Sequence, residues 1–169
     1  MRCPTSRRVG LACLGLVAAA CNYTFSGGGG LPPHIRTIFV APVDNQTTQF
    51  ALTEPFTQLL LDASRSRLGA QLAAEETADA TVRCVLTRYE DTAVNFAAEA
   101  GVGADVFQRR IRISARVEIV DNTRNEIIWG GSVTGIGEYS PDDDTELAGQ
   151  DLALNDLQQK IVDGAQSQW

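Results

Sequence analysis

The chain has 169 residues, the size of one small domain, with 14 basic and 21 acidic side chains and a formal net charge of −7. This charge argues against a nucleic-acid partner, because such partners bind basic surfaces. With only 4 cysteines and 1 histidine, the chain also offers few candidates for catalytic or metal sites built on these residues.

The first 21 residues have the pattern of an export signal. Their start is basic, with Arg2, Arg7 and Arg8. An uncharged run from Val9 to Ala20 follows, and Cys21 comes directly after it. The run is too short to cross a bilayer as a helix, which takes about 20 apolar residues. The segment Ala18-Ala19-Ala20-Cys21 resembles a bacterial lipobox, which implies that the leader 1–20 is removed and that Cys21 is lipidated.

The lipobox departs from its usual form at Ala18, where leucine is common, and the alternative is an ordinary secretory signal cut near Ala20. A lipidated Cys21 would tether the chain to a membrane, stably if it carries more than one acyl chain. Removal of the leader takes away three arginines and no acidic residue, so the net charge changes from −7 to −10. Cys84 would then be the one remaining free thiol, which leaves no intrachain disulfide.

Residues 21–33 are predicted to form a flexible tether, because the four consecutive glycines at 27–30 cannot specify one conformation. The folded domain is predicted over 34–169. Its first strand is expected at 34–43, followed by a polar loop and by a helix that Thr53 caps and Gly69 ends. The apolar face of this helix comprises Phe56, Leu59, Leu60 and Ala63.

The middle of the chain is predicted to be rich in strands. A short strand at 70–74 and a turn at 75–79 precede three long strands, expected at 80–96, 107–120 and 126–137. The second long strand has the clearest alternation of apolar and polar residues. In the first long strand, 80–96, Tyr89 is expected to share a face with Arg83. In the third, 126–137, Ile127 is expected to share a face with Trp129. Residues 97–105 are predicted to form a flexible hairpin tip, and 121–125 a tight turn.

A second helix is predicted at the end of the chain, after an acidic loop at 139–145. Asp144 or Thr145 is the expected cap. The predicted buried stripe consists of Leu147, Leu154, Leu157, Ile161 and Ala165. The element order predicts an α+β fold, with two helices packed on one face of a mostly antiparallel sheet of four to five strands.

No catalytic or metal site is predicted. His34 and Cys84 are not placed to form a nucleophilic pair, and a buried cysteine that acts as a small hydrophobic residue explains Cys84 better. The acidic residues 142–144 with Glu146 lack the spacing of a calcium loop, so helix capping is the preferred interpretation and calcium binding the alternative. No cofactor is expected.

One group of residues suggests ligand binding. Arg110, Arg112 and Arg116 alternate with the apolar residues of one strand and would share its outer face, joined by Arg83 from a neighbouring strand. Arginine binds phosphate and carboxylate groups in a bidentate manner, so this row could hold an anionic amphiphile. The alternative is a solvated strand face, with Glu118 as an ionic partner.

Several stretches together resemble the LptE family of lipopolysaccharide-assembly lipoproteins. They are the lipobox cysteine with an aromatic residue two positions on, the segment 31–48, Ala78-Asp79-Ala80 before a strand, Glu126-Ile127-Ile128-Trp129, and the terminal helix. The resemblance implies a lipoprotein on the periplasmic side of the outer membrane that plugs a large β-barrel of the LptD type and helps deliver lipopolysaccharide. Asn22 fits outer-membrane sorting.

The chain departs from this family where its members are thought to touch lipopolysaccharide. Residues 97–105 contain no arginine or lysine and 139–150 are acidic, so no binding residue is carried over by motif. The segment 38–48 also resembles activators of peptidoglycan synthases and curli-type secretion lipoproteins. The alternative function is therefore an envelope lipoprotein that activates such a synthase or forms a secretion-type ring.

Overall fold

The computed structural model describes residues 31–95, 107–141 and 144–167. The predicted leader, Cys21 and the glycine run of the tether lie outside these residues, as does the predicted hairpin tip at 97–105. Leu31 packs against the hydrophobic core and Pro32 is buried. Contacts with the folded domain therefore begin before His34.

The described residues form six strands and two α-helices. In chain order they are β1 (Thr37–Val40), β2 (Asp44–Asn45), α1 (Thr53–Ser66), β3 (Gln71–Leu72), β4 (Ala80–Asn95), β5 (Phe107–Asp121), β6 (Glu126–Tyr139) and α2 (Glu146–Gln166). Two short 3-10 turns, Phe50–Leu52 and Glu75–Thr77, precede α1 and β4.

All six strands belong to one mixed sheet, in the order β3-β1-β4-β5-β6, and β2 also pairs with β4. β4, β5 and β6 are antiparallel, whereas β1 is parallel to β3 and β4, and β2 is parallel to β4. The α+β class with two helices is confirmed, but the expectation of four to five mostly antiparallel strands was wrong. The parallel pairs arise because α1 lies between β1 and β4 in the chain, as a crossover between parallel strands requires.

Both helices pack on one side of the sheet, called the inner face here; the opposite side is the open face. α1 contacts β1 and α2, and α2 lies along β5 and β6. The inner side chains of β5 are at most 1% exposed, and they are Ile111, Ile113, Ala115, Val117 and Ile119. This one strand forms the centre of the hydrophobic core, as its alternation predicts.

Two β-bulges change which residues reach the inner face. Thr87 is an extra residue in β4, so Tyr89 lies opposite Ile113 on the inner face. Ile128 is an extra residue in β6, so Trp129 lies opposite Ile119, while Ile127 is 61% exposed. The predictions that Tyr89 shares a face with Arg83, and Ile127 with Trp129, are wrong for this reason.

The helix ends agree with the sequence in part. Gly69 adopts a φ of 67° just beyond α1, which confirms it as the stop signal. Thr53 is the first residue of α1 and not its cap, since the helix continues from the preceding 3-10 turn. Thr145 caps α2 by accepting a hydrogen bond from the Ala148 amide. Leu147 is 64% exposed, so the predicted stripe of α2 is wrong at its first position.

Asp79 connects the two parallel strands β1 and β4. Its carboxylate accepts hydrogen bonds of 2.9 Å from the backbone amides of Arg36 and Thr37, and these bonds lower its pKa. The Asp79 amide in turn donates to the Thr37 hydroxyl. The motif Ala78-Asp79-Ala80 therefore helps to fix the register of the sheet.

Candidate functional site

The open face of β4, β5 and β6 carries all four arginines that the sequence singled out. Arg110, Arg112 and Arg116 alternate with the buried residues of β5, and Arg83 lies on β4 opposite Glu118. The other neighbours across the strands are small or polar at most positions, including Thr92, Ser132 and Glu138. This common orientation follows from the period of two in a strand.

The four arginines differ in their ionic partners. Arg110 donates to Glu138 on β6 at 2.7 Å, which neutralises its charge. Arg83, Arg112 and Arg116 form no ion pair with any residue in the described part of the chain. Glu118, the partner expected for a solvated face, lies opposite Arg83 in the register but is not within ion-pair distance of it. Three guanidinium groups of the row are thus free to meet an anion.

A depression of about 330 Å³ lies beside this row, at the pair β5–β6. It is lined by Arg116, Glu118, Ile127, Gly130, Gly131 and Ser132. The glycines and the serine leave space over β6, and Ile127 adds an exposed apolar surface. The depression combines a cation, an anion and an apolar wall, which suits a polypeptide or amphiphile better than a simple ion.

A polar cluster that the sequence did not predict lies on the inner face beyond the apolar core. Arg109 pairs with Asp91, its Nε lying 3.0 Å from Oδ1 and 3.1 Å from Oδ2, and Tyr139 donates to the same carboxylate. This carboxylate raises the pKa of Arg109. Burial, aided by the bond to Asp91, raises the pKa of Tyr139. The signal was available in part, because Arg109 has the strand phase of the buried residues Ile111 and Ile113, whereas Asp91 reaches this face only through the bulge at Thr87.

Tyr89 joins this end of the sheet to the start of α2. Its hydroxyl donates to Glu146 at 2.7 Å and accepts from Gln150 at 3.1 Å. Burial is the largest cause of its raised pKa, and the Glu146 carboxylate adds to the effect. These bonds hold the first turn of α2 against the long strands, so the cluster is best explained as structural.

The candidates for catalysis occupy inert positions. His34 lies 2.6 Å from the fully buried carboxylate of Asp121, which also accepts bonds from Thr123 and the Arg124 amide. Burial opposes the charge on Asp121, but these hydrogen bonds outweigh it and lower its pKa. Cys84 is 3% exposed, and burial raises the pKa of its thiol to about 12. A neutral thiol and a histidine held by an aspartate do not make a nucleophilic pair.

The described residues offer neither a cluster of metal ligands nor a membrane-spanning helix. Across 31–95, 107–141 and 144–167, no three His, Cys, Asp or Glu side chains come together as a metal site. Residues 142 and 143 of the calcium alternative lie outside these ranges. None of the described helices is long and apolar enough to cross a membrane.

Comparisons with known proteins identify one family. The sequence model of LptE, described as lipopolysaccharide-assembly, matches residues 35–167. No curated protein matches the chain at a significant level.

Several solved structures are similar in fold. A Helicobacter pylori homolog of a neuraminyllactose-binding hemagglutinin is 11% identical with a TM-score of 0.55, over 83% of this chain and 88% of that one. PelC from Paraburkholderia phytofirmans, solved as a dodecamer, is 12% identical with a TM-score of 0.53, over 83% of this chain and 96% of that one. A Xanthomonas campestris protein is 10% identical with a TM-score of 0.51, over 82% of this chain and 90% of that one. At these identities the likeness shows the fold alone.

Proposed function

Because the chain belongs to the LptE family of lipopolysaccharide-assembly lipoproteins, we propose that it plugs and helps to assemble a large outer-membrane β-barrel of the LptD type. The observation that carries this proposal is the extent of the family match. Residues 35–167 include every strand and both helices of the domain, so the match is to the whole fold and not to one motif. The family acts as an envelope lipoprotein in lipopolysaccharide assembly and is not enzymatic.

The proposed location is the periplasmic side of the outer membrane, with Cys21 as the lipidated residue and a tether that runs from Cys21 to the first core contact at Leu31, within the predicted range 21–33. A tether of this length would let the domain enter the lumen of a barrel while the acyl chains stay in the bilayer. The leader 1–20 would be removed during export.

Lipopolysaccharide is the proposed ligand of the open face. Its phosphate and carboxylate groups match the guanidinium groups of Arg83, Arg112 and Arg116. Arg110 was part of the predicted row, but its bond to Glu138 makes it the weakest candidate of the four. The depression beside Arg116 would accept an apolar portion next to the anionic group.

The proposal is tested by affinity purification of the tagged full chain from detergent-solubilised outer membranes, with the partners identified by mass spectrometry. We expect near-stoichiometric recovery of one large β-barrel protein. The matched control is Cys21→Ala, which should fold but remain an unlipidated precursor without palmitate labelling, and recover much less of the barrel. Recovery of a peptidoglycan synthase, or of the chain only with itself, would instead support the activator or ring-forming function.

A further inference from the structure

We propose that the edge of β6 at Gly130–Ser132 is a strand-addition site for an extended, acidic segment of a partner protein. It follows from three features of the described residues: the position of β6 in the sheet, the unequal protection of its edge, and the charge beside it.

β6 is the outermost strand of the sheet, paired with β5 on one side only in the described part of the chain. Its register against β5 is unbroken from Gly130 to Tyr139. In a regular strand, every second residue directs both its amide and its carbonyl away from the partner strand. The Ile136 amide and the Thr134 carbonyl are bound from outside by α2, so the even-numbered residues face outward. Gly130 and Ser132 share this phase.

α2 protects one half of this edge and leaves the other half open. The Asp156 carboxylate accepts the Ile136 amide at 2.8 Å, and the Lys160 ammonium donates to the Thr134 carbonyl at 2.9 Å. Asp156 and Lys160 also bind each other at 2.7 Å, which fixes both over the edge. Charged groups of this kind prevent a sheet edge from pairing with other chains. Within the described residues nothing comparable binds the outward groups of Gly130 or Ser132.

The residues around Gly130 and Ser132 determine which side chains an added strand should carry. Gly130 and Ser132 are small, so a long side chain on a strand beyond β6 can lie across them and reach the depression on the open face. Arg116 lines that depression, is exposed, and has no ionic partner among the described residues. Glu118 lines the same depression and lies opposite Gly130, so the place for an anionic group is beside Ser132, which lies opposite Arg116. A carboxylate side chain on the residue of the added strand that lies beside Ser132 therefore complements Arg116.

The experiment uses a probe of defined chemistry, a capped hexapeptide of alternating glutamate and threonine. It is added to the isotope-labelled full chain in detergent, and amide exchange is followed residue by residue by NMR. We expect exchange at Gly130 and Ser132 to slow by about tenfold, because their amides gain hydrogen bonds. The Ile136 amide, already bound to Asp156, should not change.

Two variants separate the backbone and charge contributions. Ser132→Pro removes an outward amide at a position where an edge strand tolerates proline, and should weaken peptide binding by about tenfold. Arg116→Gln should weaken binding of the glutamate peptide about fivefold and leave a serine-substituted peptide unaffected.

Three results would overturn the proposal. Slow exchange of Gly130 and Ser132 without peptide would mean that another part of the chain or a second copy already covers the edge. If a peptide with lysine in place of glutamate binds as tightly as the glutamate peptide, Arg116 does not select an acidic partner. Protection that persists in folded Ser132→Pro would show that the peptide does not pair with β6.

Discussion

The two faces of β4–β6 hold their charged residues in different ways. Among the described residues, the inner face carries charge beyond the two ends of the apolar core, where His34 and the turn after β5 bind Asp121, and Arg109 and Tyr139 bind Asp91. On the open face, Arg112 has no ionic partner in the described part of the chain. Burial makes an unpaired charge costly, whereas solvent satisfies it. Unpartnered arginines therefore mark the face that is available to a ligand.

The largest expected effect comes from removing a large side chain from the hydrophobic core on the inner face, while the open face stays unchanged. Ile113 is fully buried, so Ile113→Ala should lower the free energy of unfolding by about 4 kcal/mol through lost burial and a cavity. The control is its neighbour Arg112, whose replacement by alanine should change stability by less than about 0.5 kcal/mol. Urea denaturation of both variants measures the difference. Similar losses in the two would mean that the open face is covered by packing as tight as that under α2.

A second prediction adds volume to the inner face. A Cβ at Gly135 would lie too close to the Ala153 carbonyl of α2, whereas a Cβ at Gly131 on the same strand meets nothing within 4 Å. Gly135→Ala should therefore cost about 3 kcal/mol, because α2 must move, and Gly131→Ala should be nearly neutral. Thermal unfolding compares them. If both variants unfold at the wild-type temperature, α2 does not pack closely on β6.

The third prediction concerns the buried charge at one end of the inner face. Asp121→Ala leaves His34 and the amides of Thr123 and Arg124 without their acceptor, and should cost about 2 kcal/mol at pH 7. Because folding lowers the pKa of Asp121 below its usual 3.8, its contribution is fully present above that pH and is lost as the pH falls towards the folded-state value. The difference in unfolding free energy between wild type and variant should therefore begin to narrow as the pH falls through 3.8, and should continue to narrow below it. A difference in unfolding free energy that does not change with pH would mean that Asp121 stabilises the fold through packing and not through its charge.

The parts of the fold that the sequence predicts are those where one residue pattern decides the structure. The alternation of β5 specifies its bounds and its buried side, and Gly69 and Thr145 mark helix ends through local chemistry. The mixed sheet was not predictable in this way, because the pairing of β1 with β3 and β4 depends on how α1 returns the chain. The bulges at Thr87 and Ile128 have no local signature here, yet each reverses the face of every residue that follows in its strand.

For the candidate site, the sequence predicts which arginines share a face but not which of them are neutralised. The difference between Arg110 and Arg112 is set by their neighbours on β6, Glu138 and Ile136, and so by a register that only the structure reveals. The cluster around Asp91 was missed because the bulge at Thr87 decides the face of Asp91, although the strand phase of Arg109 already placed a charge on the apolar face.

The smallest expected effect is on the binding of lipopolysaccharide to the open face, and it leaves the stability of the domain unchanged. If Arg83, Arg112 and Arg116 bind anionic groups of lipopolysaccharide, replacing all three with glutamate should weaken binding by about tenfold, with a native circular dichroism spectrum. Exchanging the paired residues, Arg110→Glu with Glu138→Arg, keeps the same charges on the same face and should leave binding unchanged. Retention of labelled lipopolysaccharide on the immobilised full chain compares the two variants. Unchanged retention in the triple variant would show that the row is a solvated face. An equal loss in the exchanged pair would show that the position of Arg110 matters despite its bond to Glu138.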